Sequence, residues 1–279
     1  MPAYNAAKTL ERTYADLPKD TLDSVILVDD ASRDETAWIA QRIGLKVVIH
    51  IQNQGYGGNQ KTCYVEALKD GADIVVMLHP DYQYDSTLVP QLIQPIIEGR
   101  ADLVLGSRFL GGQPLAGGMP LYKYVSNRFL TLVENTILRQ RLSECHTGFR
   151  AFSRRSLETI PFLLNSNDFL FDSQIIAQMV AFGFKIDEIG VPTRYFKEAS
   201  SVDFRHSVVY GLGTLGVMLG YLLDRSGARR APQFRRTLRE VASSYYHQTL
   251  FRSDQPTAPE PCPAGETLAP PPQHSVTKG

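Results

Sequence analysis

Cysteine is scarce in this chain: Cys63, Cys145 and Cys262 are its three thiols, and no two form a CxxC pair. That excludes a thiol-built zinc site and a disulfide framework, and fits a reducing compartment. Neither sign of charge is in surplus, with 29 Lys+Arg against 29 Asp+Glu. A protein that grips a phosphate backbone needs a basic excess, so nucleic acid is not an expected partner. The opening Met1-Pro2-Ala3-Tyr4-Asn5 has neither the basic start nor the apolar core of a signal peptide. The expected site of action is therefore the cytoplasm. Walker and dinucleotide glycine spacings are absent. The longest uncharged run, Val208–Leu223, falls short of the roughly twenty residues that cross a bilayer.

What the chain does have is an alternation of apolar strands and helices. Ser24–Val28, Leu45–Ile51, Ile74–Leu78 and Asp102–Leu105 read as strands. Helices are expected over 34–43, over 58–69 with Cys63, Ala67 and Leu68 facing inward, and from a Ser86 cap to about Glu98. Strands apolar on nearly every residue predict an α/β fold with a mostly parallel sheet buried on both faces. After Gly111-Gly112 the pattern changes to helices over 122–138 and 171–182 and short strands over 148–153 and 186–191. From Ser253 the composition is that of a disordered tail. The expected division is a catalytic domain over 1–203, an apolar helix with a basic helical segment over 204–252, and a tail over 253–279.

Ligands of such sheets sit beyond the C-terminal strand ends, and polar clusters recur there. Asp29-Asp30 closes one strand and can accept hydrogen bonds from a base and a ribose, while Ser32 and Asp34 suit helix capping. Asn53-Gln54-Gly55-Tyr56-Gly57-Gly58-Asn59-Gln60-Lys61 is a glycine-rich helix entry that can cradle a phosphate, with Asn53, Gly58 and Lys61 as its candidates. A plain tight turn explains that loop equally well. His79, Asp81 and Gln83 alternate along a strand end and can share one face, where carboxylate and amide oxygens suit Mg²⁺ or Mn²⁺. Ser107-Arg108 ends a fourth strand. His146 and Arg150 flank Thr147-Gly148-Phe149; each has a structural reading, His146 in a core or cap and Arg150 paired with an acid. Asp172 sits where it can simply begin a helix.

Together these pieces resemble glycosyltransferase family 2 in its dolichyl-phosphate mannosyltransferase-like branch, from Pro2 to about Asp203. Pro2-Ala3-Tyr4-Asn5 resembles P-x-Y-N, and Val28-Asp29-Asp30-Ala31-Ser32 resembles V-D-D-G/A-S. Asp81-x-Gln83 resembles the end of D-x-D-x-Q, Gly106-Ser107-Arg108 matches G-S-R, and Thr147-Gly148-Phe149-Arg150 resembles S/T-G-F-R. The resemblance implies a GT-A fold, a nucleoside-diphosphate sugar donor, a divalent metal and inversion at the anomeric carbon. By it Pro2, Tyr4, Asn5, Asp29 and Asp30 face the nucleotide, Asp81 and Gln83 the metal, and Arg108 and Lys123 the phosphates. The chain departs from the family in three places. His79 stands at the first acid of D-x-D-x-Q, where an imidazole can still bind metal. Glu144 replaces an Asp before S/T-G-F-R. The family has an apolar strand ahead of P-x-Y-N, and its loss would leave a central sheet position unfilled.

The expected reaction is a single displacement at the sugar C1, with Asp81, Arg108, Glu144 and Arg150 as catalytic candidates. A polyprenyl-phosphate acceptor needs no general base, whereas a glycan or other hydroxyl acceptor does, and Glu144 is the candidate base. A non-catalytic nucleotide-sugar-binding subunit and a nucleotidyltransferase are the competing readings. The run Val208–Leu223, followed by Arg225, Arg229, Arg230, Arg235, Arg236 and Arg239, is expected to lie on the inner face of the cell membrane. A buried or dimer-forming helix competes with that expectation, as does a true membrane span.

Overall fold

The computed structural model describes residues 1–110, 114–115, 117–192 and 204–251. Gly111-Gly112, the expected boundary at 203 and the tail from Ser253 lie outside the described residues. In chain order the elements are β1 (Pro2–Ala3), α1 (Leu10–Ala15), β2 (Ile26–Asp29), α2 (Thr36–Arg42), β3 (Lys46–Ile49), α3 (Tyr56–Lys69) and β4 (Ile74–Met77). Next come α4 (Val89–Ile97), β5 (Leu103–Ser107), α5 (Leu121–Leu138), β6 (Arg150–Ser153), α6 (Arg154–Thr159), α7 (Phe171–Ala181) and β7 (Ile186–Gly190). Helices α8 (Phe204–Arg225), α9 (Leu238–Val241) and α10 (Ser244–Leu250) follow.

The strands form two sheets, ordered β1-β2-β3 and β4-β6-β5-β7. The first is parallel throughout, as expected. The second is mixed, because β6 runs antiparallel to both β4 and β5. The strand expected over 148–153 is β6, and a short apolar run does not record strand direction, so composition alone left the direction of β6 open. A further correction concerns α4. Asp85, not Ser86, accepts the backbone N–H of Thr87, while Ser86 Oγ donates to the Thr13 carbonyl.

Two cores flank the sheets. One gathers Leu27, Ile39, Leu92, Val104 and Phe149 under α1, α2 and α4. The other joins Tyr64, Phe152, Phe162, Phe171 and Ile176 to Val217, Met218, Phe234 and Leu250. The C-terminal helices are therefore packed into the body formed by the preceding elements. The Ser207–Arg225 stretch, at a mean hydropathy of 1.4, is the one helix among the described residues long and apolar enough to cross a membrane.

β1 and β4 are the facing edges of the two sheets, and they do not pair. Between them lies a cavity of about 470 Å³ lined by Met1, Val25 and Ile26, by Ile74–Leu78, and by Cys63, Ala67, Val89 and Ile93. The Met1 ammonium donates to the Ile26 carbonyl at its rim.

Candidate active site

A second cavity, about 570 Å³, opens at the C-terminal ends of β1, β2 and β4. Pro2 and Tyr4 enter it from β1, Asp30 from β2, and Asn53 with Gly55 from the loop after β3. His79, Asp81 and Gln83 enter from the loop after β4. This is the convergence of strand ends read from the sequence. The opposite wall consists of Tyr56, Tyr84, Asp168, Phe169, Asp172, His146 and, from α8, Ser207 and Tyr210. Of these, the sequence motifs include only Tyr56, His146 and Asp172.

The loops beside β2 are tied to one another by their own polar groups. Asp30 Oδ1 accepts from His50 Nδ1 and from the Gln54 backbone N–H, both at 2.7 Å, and Oδ2 accepts from the Gly55 N–H at 3.1 Å. Asp30 thus lines the cavity while holding the glycine-rich loop. Asp29 Oδ2 accepts from Ser32 N–H, and its Oδ1 is buried without a partner among the described residues. Asn5 turns away from the cavity, and its side-chain oxygen accepts the Arg33 N–H at 2.8 Å. Its own N–H donates to Ser32 Oγ, so Ser32 joins the two loops instead of capping α2. Asp34, one residue before the Glu35 N-cap, ties the entry of α2 to the first loop by accepting from the Thr36 and Ala7 N–H groups.

The glycine-rich loop serves packing, which corrects the phosphate-cradle reading of Gly58 and Lys61. The N–H groups of Gly57 and Gly58, which begin α3, both donate to the Asn167 carbonyl. A Cβ on Gly57 would lie 2.4 Å from the Ser166 carbonyl oxygen. Gly55, at φ +83°, makes the turn that a side chain would strain. Lys61 Nζ donates to the Asn165 carbonyl and to Asn167 Oδ1. With these donors occupied, the α3 N-terminus is closed to an anion, whereas Asn53 remains on the cavity wall.

Asp172, in the first turn of α7, is the hub of the opposite wall. Its Oδ1 accepts from Arg150 Nη1 at 2.9 Å and Gln60 Nε2 at 3.1 Å, and its Oδ2 accepts from the Tyr56 hydroxyl at 2.9 Å. Arg150 is fully buried and also donates to the Thr147 carbonyl. The structural reading of Arg150 therefore describes its contacts, and its guanidinium does not reach the cavity. His79 stacks on Tyr56 with ring centroids 5.3 Å apart, its Nε2 3.4 Å from the Tyr56 hydroxyl. Burial pushes the His79 ring down to about 4, against an upward pull from Asp172, so it is neutral.

The chain matches glycosyl transferase family 2 over residues 1–160, more than half its length. It belongs to that family. Among its relatives is the UDP-N-acetylglucosamine–dolichyl-phosphate N-acetylglucosaminyltransferase of Methanococcus voltae, 28% identical over 245 residues, spanning 80% of this chain and 96% of that one. Glycosyltransferase AglJ of Haloferax volcanii is 29% identical over 204 residues, spanning 72% and 63%. A crystal structure of glucosyl-3-phosphoglycerate synthase from Mycobacterium tuberculosis, in complex with Mn²⁺ and uridine-diphosphate-glucose, superposes with a TM-score of 0.60 at 20% identity, covering 79% and 76%. The fold is GT-A, and the protein is a glycosyltransferase.

In this glycosyltransferase Glu144 is no base. Its side chain is fully buried. Oε1 accepts from Arg108 Nε and Asn127 Nδ2, each at 2.8 Å, and Oε2 accepts the Arg108 backbone N–H at 2.8 Å. Burial would raise the carboxyl, yet the Arg108 charge and hydrogen bonds bring it below the usual value. Glu144 holds Arg108, whose Nη2 also donates to the His146 carbonyl at 2.9 Å. Lys123, at the start of α5, is lowered by burial and by the nearby charge of Arg108. Two cations thus share one neighbourhood outside the cavity wall.

His146 links three elements. Its Nδ1 is 2.7 Å from the Tyr210 hydroxyl of α8, and its Nε2 lies 3.0 Å from a carboxylate oxygen of the fully buried Glu134 on α5. Nδ1 is hydrogen-bonded, while Nε2 lies beside the Glu134 carboxylate without a hydrogen bond among the described residues, so the imidazole sits between the S/T-G-F-R loop and the two helices.

Among the described residues no three His, Cys, Asp or Glu side chains converge as a metal cluster. Asp81 fits a cation. Its carboxyl makes no ion pair among the described residues, and burial lifts it to about 6, so a metal would relieve a carboxylate held in a poor environment. Gln83, buried beside it, offers an amide oxygen. The stacked His79 is oriented by Tyr56. One carboxylate and one amide oxygen suit Mg²⁺ or Mn²⁺ that takes its remaining ligands from a diphosphate.

Proposed function

We propose that this glycosyltransferase moves a sugar from a nucleoside-diphosphate donor to a polyprenyl phosphate, with inversion at C1. One observation carries the reading. Pro2, Tyr4 and Asp81 line the same cavity as Ser207 and Tyr210 of α8, the one helix among the described residues long and apolar enough to cross a membrane. A nucleotide end and an apolar end thus meet in one space. The Methanococcus voltae relative, named for a dolichyl-phosphate acceptor, supports the same reading.

The donor's nucleoside lies against Pro2, Tyr4 and Asn53, with its diphosphate toward Asp81 and Gln83. A divalent cation held there, as Mn²⁺ accompanies the donor in the solved synthase, offsets charge on the leaving diphosphate. The acceptor phosphate lies toward Lys123 and the Arg108–Glu144 pair, where Lys123 supplies the uncompensated positive charge. Its oxygen attacks C1, a new C1–O bond forms as the bond to the diphosphate breaks, and the nucleoside diphosphate leaves. The attacking oxygen is already ionised, so no proton need be removed. The cavity's carboxylates agree with this. Asp30 and Asp172 are bound internally and Asp81 faces the cation, leaving Asp168 exposed at the mouth. The chain acts at the cytoplasmic face of the membrane, where its acceptor resides.

The test is transfer from radiolabelled UDP- and GDP-sugars with Mn²⁺ to a short polyprenyl phosphate and to the matching polyprenyl alcohol. Label should enter the organic phase with the phosphate only. Transfer to the alcohol or to a soluble sugar, lost in Asp168→Asn, would replace the lipid-phosphate reading with a base-assisted one.

A further inference from the structure

Helix α5 is inside out. The side chains it buries are Asn127, Thr131 and Glu134 beside Leu130 and Leu138. Leu121, Val125, Phe129 and Leu132, spaced by four, four and three residues along one face, are exposed, Leu121 at 67% and Leu132 at 64%. A helix on the surface of a water-soluble body carries the opposite pattern, apolar inward and polar outward. The inward polarity has a use here. Asn127 donates to Glu144, which holds Arg108, and Glu134 lies against His146. The outward apolar stripe has no such use among the described residues.

Helix α8 packs on α5, Gly211 coming close to Leu130, and adds an outward apolar stripe of its own to an inner face that includes Val217. Thr214, Met218 and Tyr221 are buried, while Val208, Leu212 and Leu219 are exposed at the same kind of spacing. A Cβ on Gly216 or Gly220 would meet nothing within 4 Å. Of the eighteen exposed large apolar side chains among the described residues, ten lie on these two helices, five on each. Contiguous apolar surface on this scale marks an interaction site.

We propose that the joined outer faces of α5 and α8 dock in the interfacial layer of an anionic lipid bilayer. Charge complementarity favours lipid over a second copy. Arg225, Arg229 and Arg230 are exposed at the C-terminal end of α8, and Arg128 is exposed on α5. This cationic rim suits anionic headgroups, whereas a two-fold copy would bring like charges together. The rest of the basic run is partly engaged inside the protein, Arg235 with Asp224 and Arg239 over the Phe251 ring. Tyr210 and Ser207 of the docked α8 line the active-site cavity, so docking would set that cavity beside the bilayer surface. The purpose of the docking, though not its evidence, rests on the lipid-acceptor reading above.

Full-length protein is sedimented with sucrose-loaded vesicles of phosphatidylglycerol and phosphatidylcholine, and with phosphatidylcholine alone. The protein should pellet with the anionic vesicles. The Val125→Ser/Phe129→Ser/Leu132→Ser variant should bind them at least about tenfold more weakly, because three apolar side chains leave the hydrocarbon boundary. Its circular dichroism should be unchanged. A second measurement does not depend on that variant folding. The chain has a single Trp, Trp38, so Trp38→Phe/Phe129→Trp reports on α5 alone. Its emission should shift to the blue with anionic vesicles and be quenched by brominated lipid. An unshifted, unquenched indole overturns the proposal, as does a triple variant that pellets like the wild type. So does a protein that ignores vesicles and forms a dimer which the triple variant dissociates. Transfer to a short, soluble prenyl phosphate is read separately. If it fails while the vesicle results hold, the docking stands and the acceptor reading falls.

Discussion

Burial lifts the Asp81 carboxyl to about 6, and backbone hydrogen bonds from Gln83 and from Asp81 itself only partly offset this. The raised value means that the folded protein binds more protons than the unfolded chain between the ordinary 3.8 and about 6. The stability Asp81 contributes is therefore complete below that window and lost as pH rises through it. A cation must displace the same proton. The melting-temperature shift caused by Mn²⁺ with a nucleoside diphosphate should grow as pH rises toward about 6 and level off above. Asp81→Asn should remove both the shift and its pH dependence, and lower transfer by roughly a hundredfold or more, with circular dichroism intact. An equally large Mn²⁺ shift at acid pH would exclude Asp81 as a ligand.

Glu144 makes a contrasting case on the same scale. Its motif position suggested a base, but its neighbours make it an anchor. Removing its charge strands Arg108, whose side chain is only 13% exposed. Breaking a buried pair in this way costs about 3–5 kcal/mol. Glu144→Gln should therefore lower the melting temperature and weaken acceptor binding, seen as a raised KM. The acid limb of the pH–rate profile should keep its position, since no catalytic proton is taken by Glu144. A lost acid limb would restore the base.

At the scale of elements, the N-terminus of α3 shows why motif and role can part. Glycines at a helix start are compatible with a phosphate or with close packing, and only the position of a distant loop decides between them. Here the decision is made by residues 165–168, about a hundred positions away in the chain. Gly57→Ala should destabilise the fold by about 1–3 kcal/mol, because Cβ overpacks the Ser166 carbonyl. Donor affinity of the molecules that remain folded should be unchanged. A large rise in donor Kd without loss of stability would return the loop to the phosphates. The same distinction governs what was legible beforehand. Apolar runs from β2 to β5 and their helices announced themselves by period, and so did the polar strand ends at Asp30, Asn53, His79 and Asp81. Tyr56, Phe169, Asp172 and Tyr210 reach the cavity from helices or helix entries that tertiary packing swings into place. Their local sequence carries no mark of that. Nor does composition reveal that α5 faces its apolar side outward, for the period of a helix is the same whichever way it is turned.

Across the whole molecule, the unfilled position between the sheets is the feature with most to say about stability. α3 on one side and α4 on the other span the cavity between β1 and β4, contributing Cys63, Ala67, Val89 and Ile93 to its walls. Its floor and roof are apolar, and its two edges are strand backbones. β1 already runs parallel to β2, with Pro2 opposite Val28 and Val28 N–H donating to the Met1 carbonyl. Continuing β1 backward from Met1 carries the chain between Ile26 and Ile74. Five apolar residues such as Val and Ile placed ahead of Met1 should therefore occupy the cavity as a buried parallel strand. Each side chain gains about 1.5–3 kcal/mol on burial, and ordering each residue's backbone costs about 1–2 kcal/mol. The net is a few kcal/mol in favour, which at this chain length corresponds to a rise of roughly 5–10 °C in melting temperature. The rise should vanish when the third added residue is Pro, which cannot donate to the neighbouring strand. It should also vanish when the added residues are Ser and Gly, which bury little apolar area. Equal melting temperatures for the apolar, proline and Ser/Gly extensions would mean that the gap between the sheets closes by itself in solution.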